Sequence, residues 1–261
     1  MYKFRNLDID RSIHSKERPI EAVNYGGHWL DDEVPGYETL VTTGRHEFTR
    51  QLATQDRVDD GAIYLSSRLE SRKIEVTFKL SAKTIDEYNE RLEKLERLLF
   101  KPNQPFYFAD DPNFRFIGSV TEVTLDQPTL NATGKITLEA TDPYRYGQQK
   151  TLTGTGSTIV INDDQLSYDQ TPQRIEFTPS ATVANLAITC GDKAIKLSVG
   201  VPAGQTVIVD FENLNLSINE VDNLMALTLD SNLSDFYIQN GSQVKFNADG
   251  NYKLTYEVKQ L

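Results

Sequence analysis

The chain has 261 residues and carries 27 basic against 38 acidic side chains, a formal charge of −11. That length fits one or two domains, and the acidic balance excludes the clustered Lys and Arg face that grips nucleic acid, though not a channel past which DNA slides. Cys190 is the only cysteine, so an internal disulfide and a cysteine zinc cluster are both excluded.

Met1-Tyr-Lys-Phe-Arg-Asn lacks an apolar run after its charges, so no signal peptide is expected. No stretch approaches the ~18 apolar residues of a membrane span. The expectation is a protein made and assembled in a cytoplasm, with no membrane partner.

Residues 1–25 read as short alternating pieces. Residues 26–61 are turn-rich, with Gly26, Gly27, Pro35, Gly36, Gly44 and Gly61, and read as long loops or an extended hairpin projecting from the body. Ile74, Val76, Phe78 and Leu80 then alternate with Lys73, Glu75, Thr77 and Lys79, the pattern of a half-buried strand. The period changes at Ile85, Tyr88, Leu92, Leu95 and Leu99, the stripe of an amphipathic helix. Thr84 and Glu87 have capping-box spacing, and Pro102 and Pro105 prevent continuation. Glu87–Arg91, Glu90–Lys94 and Glu93–Arg97 are i,i+4 pairs in the better orientation. The helix should be about 15 residues, or roughly 22 Å, and should close one face of a sheet.

Phe106-Tyr-Phe108 is a short strand, and Asp110-Asp-Pro-Asn113 a turn. In Phe114–Leu125 the alternation slips by one residue between Val120 and Val123, as in a strand pair or one bulged strand. A polar loop centred on Pro128 and Asn131 leads to Ile136, Leu138 and Ala140, and Asp142-Pro143 ends that strand. Gln148–Ser157 is polar and rich in Gly and Thr and reads as a linker. The expected division is thus 1–146 and 147–261. The second part reads as all β, with strands at Thr158–Ile161, Arg174–Thr178, Leu186–Cys190, Ile195–Val199, Val207–Phe211, Leu214–Ile218, Ala226–Leu229, Phe236–Ile238, Gln243–Phe246 and Tyr252–Val258. Asp249-Gly250 is expected to turn the last two into a hairpin. Such spacing predicts a sandwich or jelly roll.

No catalytic, metal or cofactor site stands out. His14, His28 and His46, near Asp31, Asp32 and Glu33, lack ligand-type spacing. The adjacent acids Asp31-Asp32, Asp59-Asp60, Asp110-Asp111 and Asp163-Asp164 sit in turn contexts rather than across a sugar cleft. Gly154-Thr-Gly156-Ser is not a phosphate loop, no Gly-x-Ser-x-Gly elbow occurs, and residues 147–261 contain no histidine for a triad. The chain is therefore expected not to be an enzyme. Cys190 alternates with Leu186 and Ile188 and is expected to be buried and inert. Trp29, the sole Trp, is a natural interface anchor; His28 and Tyr37 join it as candidate interface residues. Tyr252 and Tyr256 share a face with Leu254 and Val258 and read as core. Tyr168 and Tyr237 remain, and Tyr237 is the candidate glycan contact.

The order of these elements resembles a known family. The strand Arg72-Lys-Ile-Glu-Val-Thr-Phe-Lys-Leu, one helix ending Leu98-Leu99, Pro-Phe106-Tyr-Phe108-Ala-Asp110-Asp-Pro112, Gly118-Ser-Val120 and Asp142-Pro143-Tyr144 are similar to the distal tail proteins of long, flexible-tailed bacteriophages. So are Thr171-Pro172-x-x-Ile175-x-Phe177, Val209-Asp210-Phe-Glu212-Asn213 and Ser234-Asp235-Phe236 leading to Asn240-Gly241. The resemblance implies a tail-tube-like N-terminal β-sandwich with one helix and a C-terminal galectin-like sandwich. It implies a homo-hexameric ring in the virion tail tip, joining the tail tube protein to the tail-associated tip protein, with DNA passing its lumen unbound and, in some members, an arm that grips a receptor-binding protein. The alternative function is a carbohydrate-binding module acting on host cell-wall glycans.

Overall fold

The structure is a computed structural model that describes residues 18–126 and 130–261. His14, the pieces before residue 18 and Pro128 lie outside the described residues. Contacts divide the chain between Arg145 and Tyr146 into two β-rich units, each with its own core.

The first unit contains β1 (Val23–Tyr25), β2 (His28–Trp29), a one-turn helix α1 (Leu30–Glu33), β3 (Tyr37–Thr43), β4 (Arg50–Asp56), β5 (Ala62–Leu69) and β6 (Arg72–Ser81). It continues with α2 (Ile85–Leu99), β7 (Gln104–Phe108), β8 (Asp111–Leu125) and β9 (Asn131–Ala140). All pairings are antiparallel. β3, β6, β9 and β8 form one set, and β8, β7, β1 and β2 form the other. β8 serves both, because its first part faces β7 and Ser119–Leu125 face β9. The register against β9 shifts between Val120 and Glu122, so Thr121 is the bulged residue and the slip in the sequence pattern has a structural cause. Ile74, Val76, Phe78 and Leu80 of β6 are buried together with Ile136 and Leu138 of β9 and Phe106 and Phe108 of β7.

Helix α2 covers this core with Tyr88, Leu95 and Leu99, while Ile85, expected in the stripe, is 70% exposed in the first turn. Thr84 Oγ1 accepts from the Glu87 N–H at 3.2 Å. The Glu87 carboxylate accepts from the Lys83 N–H at 3.0 Å, one residue ahead of the cap, so the reciprocal half of the box is displaced. Arg91 pairs with Glu87 at 3.4 Å and also donates to the Ser81 carbonyl, tying the helix to the end of β6. Arg97 instead donates to the Glu93 carbonyl.

The second unit contains β10 (Arg145–Val160), β11 (Arg174–Pro179), β12 (Ala187–Cys190), β13 (Lys193–Lys196), β14 (Val207–Asp210), β15 (Asn215–Ile218), β16 (Val221–Asp222) and β17 (Gln243–Gln260). The strand order runs β16-β15-β14-β11-β17, with β10 beside β17 and the β12–β13 hairpin on the first part of β17. Two expectations are corrected here. Gln148–Ser157 is not a linker but lies within β10; Gly154 leaves room for the Tyr252 ring, whose hydroxyl would sit 2.5 Å from a Cβ. Asp249-Gly250 is not a turn, because β17 is one strand of 18 residues. Gly250 lies opposite Pro179, and a Cβ there would meet the Thr178 carbonyl oxygen at 2.3 Å and the Phe177 ring at 2.8 Å. Close backbone approach, not a turn, requires glycine.

The expected strands at 226–229 and 236–238 reduce to isolated bridges, Leu197 to Leu227 and Gln170 to Ile238. Phe177 stacks on Phe246 at 4.1 Å and Phe211 on Phe236 at 5.4 Å in the core. Cys190 and Tyr256 are buried, and burial pushes the Cys190 thiol pKa up. Among the described residues no helix is long and apolar enough to cross a membrane, and no cluster of three His, Cys, Asp or Glu is placed to hold a metal.

Candidate assembly interface

The projecting element is the hairpin of β4 and β5, which among the described residues pair with each other and with no other strand. It lies partly beyond the turn-rich region 26–61, whose earlier residues fold into the body as β2, α1 and β3. The turn between the strands holds Asp59, Asp60 and Gly61; the Arg57 N–H donates to the Gly61 carbonyl at 3.2 Å, and Gly61 has φ +86°. Asp-Gly is a favoured pair in hairpin turns. The hairpin's side-chain bonds are polar and local: Arg50 to Ser67 at 3.2 Å and Arg68 to Gln51 at 2.8 Å across the strands, and the Tyr64 hydroxyl to Ser67 at 3.0 Å within β5.

The hairpin nevertheless carries apolar side chains into solvent. Tyr64 is 61% exposed and Leu52 and Leu65 each 58%, with Ile63 and Phe48 also exposed. A two-stranded hairpin that no layer covers among the described residues is marginal in water, and several exposed large apolar side chains on one such element mark a candidate interaction site. At about 3.3 Å per residue, seven residues of β4 give a reach of about 23 Å.

The root of the hairpin is anchored. Arg45 makes two bonds of 2.9 Å to the Asp110 carboxylate and lies 4.3 Å over the Phe108 ring. Arg72, which opens β6, is 3% exposed, donates to the Arg45 carbonyl at 2.6 Å and sits over Phe116. Burial first, and then the Arg145 charge, lower the Arg72 pKa. A groove of 680 Å³ lies at this root, walled by Phe48, Thr49, Leu69, Ser71, Arg72 and Glu139 among others. Among the described residues the arm is thus uncovered along its length and fixed at its base, which holds it ready for a partner at low entropic cost.

The interface residues expected from the sequence fall in different places. His28 is exposed, with Nδ1 2.7 Å from the Glu33 carboxylate, and that contact holds Glu33 below the usual carboxylate range. Trp29 is partly buried, with its edge on the Tyr107 ring at 5.3 Å and the Arg18 guanidinium 4.2 Å over its face. Tyr37 is 2% exposed and stacks on Phe78 at 5.1 Å, so its ring belongs to the core in this conformation. His28 and Trp29 are neighbours on β2, whereas Tyr237 lies in the second unit, 43% exposed beside the Gln170–Ile238 bridge. A 350 Å³ cavity in that unit is walled by other residues, including Tyr146, Gln173, Glu212 and Glu257. Sequence reasoning missed Leu52, Tyr64 and Leu65; the signal that could have found them was Asp60-Gly61.

Comparison with known proteins accounts for both units. Residues 43–140 match the model of the phage tail protein RIFT-related domain, and residues 167–259 match that of the siphovirus-type tail component C-terminal domain. The distal tail protein of Bacillus phage SPP1 is 25% identical over 179 residues, 66% of this chain and 70% of that protein. A crystal structure of the SPP1 Dit protein, described as a paradigm of the hub adsorption apparatus in phages infecting Gram-positive bacteria, superposes with a TM-score of 0.78. At 18% identity it covers 93% of this chain and 100% of its own, which shows a shared fold. Two tail-domain models in series, a curated relative spanning parts of both, and one fold over nearly the whole length place the chain in the distal tail protein family of siphophages.

Proposed function

We propose that this structural, non-catalytic component of the phage tail tip forms a closed ring, six copies by its family resemblance, that joins the tail tube protein to the tip protein and the host-adsorption apparatus. The observation that carries this reading is the β4–β5 hairpin. Its exposed Leu52, Tyr64 and Leu65 need a cover, and the described residues supply none. A closed cyclic assembly needs a heterologous contact, in which one patch of each copy meets a different patch of the next. An arm of about 23 Å with a rigid base can make such a contact. Trp29 and His28 offer a second surface on the same unit. The net charge of −11 suits a lumen that must let DNA pass without holding its phosphates.

The double variant L52D/L65D tests the arm. Both side chains are exposed, so the fold should persist with unchanged circular dichroism. Burying two carboxylates at a subunit contact is prohibitive unless they are paired, so the variant should fail to assemble in vivo, and virions should lack intact tails. Normal tails built from this variant would remove the arm from the account. A glycan-binding reading has the exposed ring of Tyr237 in its favour; binding of cell-wall glycans by the full chain, lost in Y237A, would establish that as a further role.

A further inference from the structure

A second unpartnered surface lies on the other unit, at the β16 edge of its sheet. Among the described residues β16 pairs only with β15 and ends the strand order. Around and after it stand Leu214, Val221, Leu224, Met225 and Leu229, all exposed, with Met225 at 92% and Leu229 at 108%. These side chains do not hang on a loose loop. The Asn223 N–H donates to the Leu216 carbonyl at 2.7 Å, the Asn215 amide donates to the Asp222 carboxylate at 2.9 Å, and the Thr228 N–H donates to the Lys196 carbonyl at 3.0 Å.

The chain that forms this edge is acidic. Residues 197–244 contain no Lys, Arg or His and six acids: Asp210, Glu212, Glu220, Asp222, Asp230 and Asp235. Asp230 is answered by Lys196 at 2.5 Å. Glu220 and Asp222 meet no cation among the described residues. Exposed apolar side chains flanked by these two carboxylates fit a partner with an apolar patch rimmed by the opposite sign. A second copy of this chain is a poor occupant, because it brings a charge of −11 of its own.

We propose that the β16 edge, with Val221, Leu224 and Met225 as its apolar side chains, docks a different tail protein through an apolar patch rimmed by lysine and arginine. This rests on the reading of the chain as a tail-tip component, and names a partner surface on the unit that does not carry the arm. It is distinct from the β4–β5 contact between copies.

Hydroxyl-radical footprinting of the free chain and of intact virion tails tests it, combined with carbodiimide coupling, which joins a carboxylate to a lysine amine. Oxidation of Met225 should slow about ten-fold in tails, and Glu220 or Asp222 should couple to a lysine of another protein. Equal oxidation in both samples, coupling only to a copy of this chain, or protection without coupling to any lysine would each overturn the proposal. Tyr64 on the hairpin separates the two readings. Tyr64 protected beside an unprotected Met225 refutes this surface alone, and both residues unprotected strikes the ring contact as well.

Discussion

Asp31 shows how one side chain joins local structure to solution behaviour. It lies in α1, and its carboxylate accepts the Thr39 N–H at 2.8 Å and the Thr39 hydroxyl at 2.7 Å, hooking the short helix to β3. Burial pushes its pKa up to about 6; the Thr39 hydrogen bonds oppose that rise, and the neighbouring Glu38 and Asp32 charges add to it. The folded state therefore holds this proton more tightly than the unfolded chain does. Its contribution to stability is fully present below the unfolded value near 4 and is lost as pH rises through about 6. The cost at neutral pH is up to about 3 kcal/mol. Asparagine keeps both contacts, accepting from the Thr39 N–H and donating to its hydroxyl, and never ionises. The melting temperature of the native protein should accordingly fall relative to D31N between pH 4 and pH 7. A difference independent of pH, or one that favours the native protein as pH rises, would show that Asp31 is not buried in this way.

Two Asp-Gly pairs carry the lesson at the scale of elements. Asp249-Gly250, between alternating runs, has the stronger flanking pattern and yet lies inside β17. Glycine is needed there because the chain passes close to Thr178 and Phe177, a non-local demand that the neighbouring residues do not record. G250A should destabilise the second unit by about 1–3 kcal/mol, the usual cost of overpacking, seen as a lower denaturation midpoint; no loss would mean that β11 and β17 are not held so close. Asp60-Gly61 is the true hairpin turn, hidden because its strands carry polar and apolar residues on surfaces that are both exposed. Where one face is buried, the pattern is readable. β6 with its 0%-exposed Ile74, Val76, Phe78 and Leu80, helix α2 and the bulge in β8 all follow from period alone. β10 does not, because the chain at Gly154 is shaped by the Tyr252 ring and its Gln and Thr residues give no apolar period. Of the candidate interface residues, His28 and Trp29 stand together on β2 after Gly26 and Gly27, a placement the sequence already suggests, whereas the burial of Tyr37 depends on its stacking partner Phe78 and is not written in the residues around it.

For the whole molecule, two acidic β-rich units carry two exposed apolar surfaces, one on a projecting arm and one at a sheet edge. Neither surface is explained by the stability of a single chain, since exposed apolar side chains on a lone hairpin contribute little to folding. Both are explained if the chain works only within an assembly, as a tail component must. The charge distribution agrees: residues 1–146 hold 20 basic and 25 acidic side chains, residues 147–261 hold 7 and 13, and contacts to other proteins rather than to nucleic acid follow from that balance. The most direct measurement is the mass of the purified protein in solution by light scattering, alone and with the tail tube and tip proteins added, followed by negative-stain imaging. The account predicts rings of about six times the 29.5 kDa chain mass. A particle of one chain that persists with both partners present would contradict it.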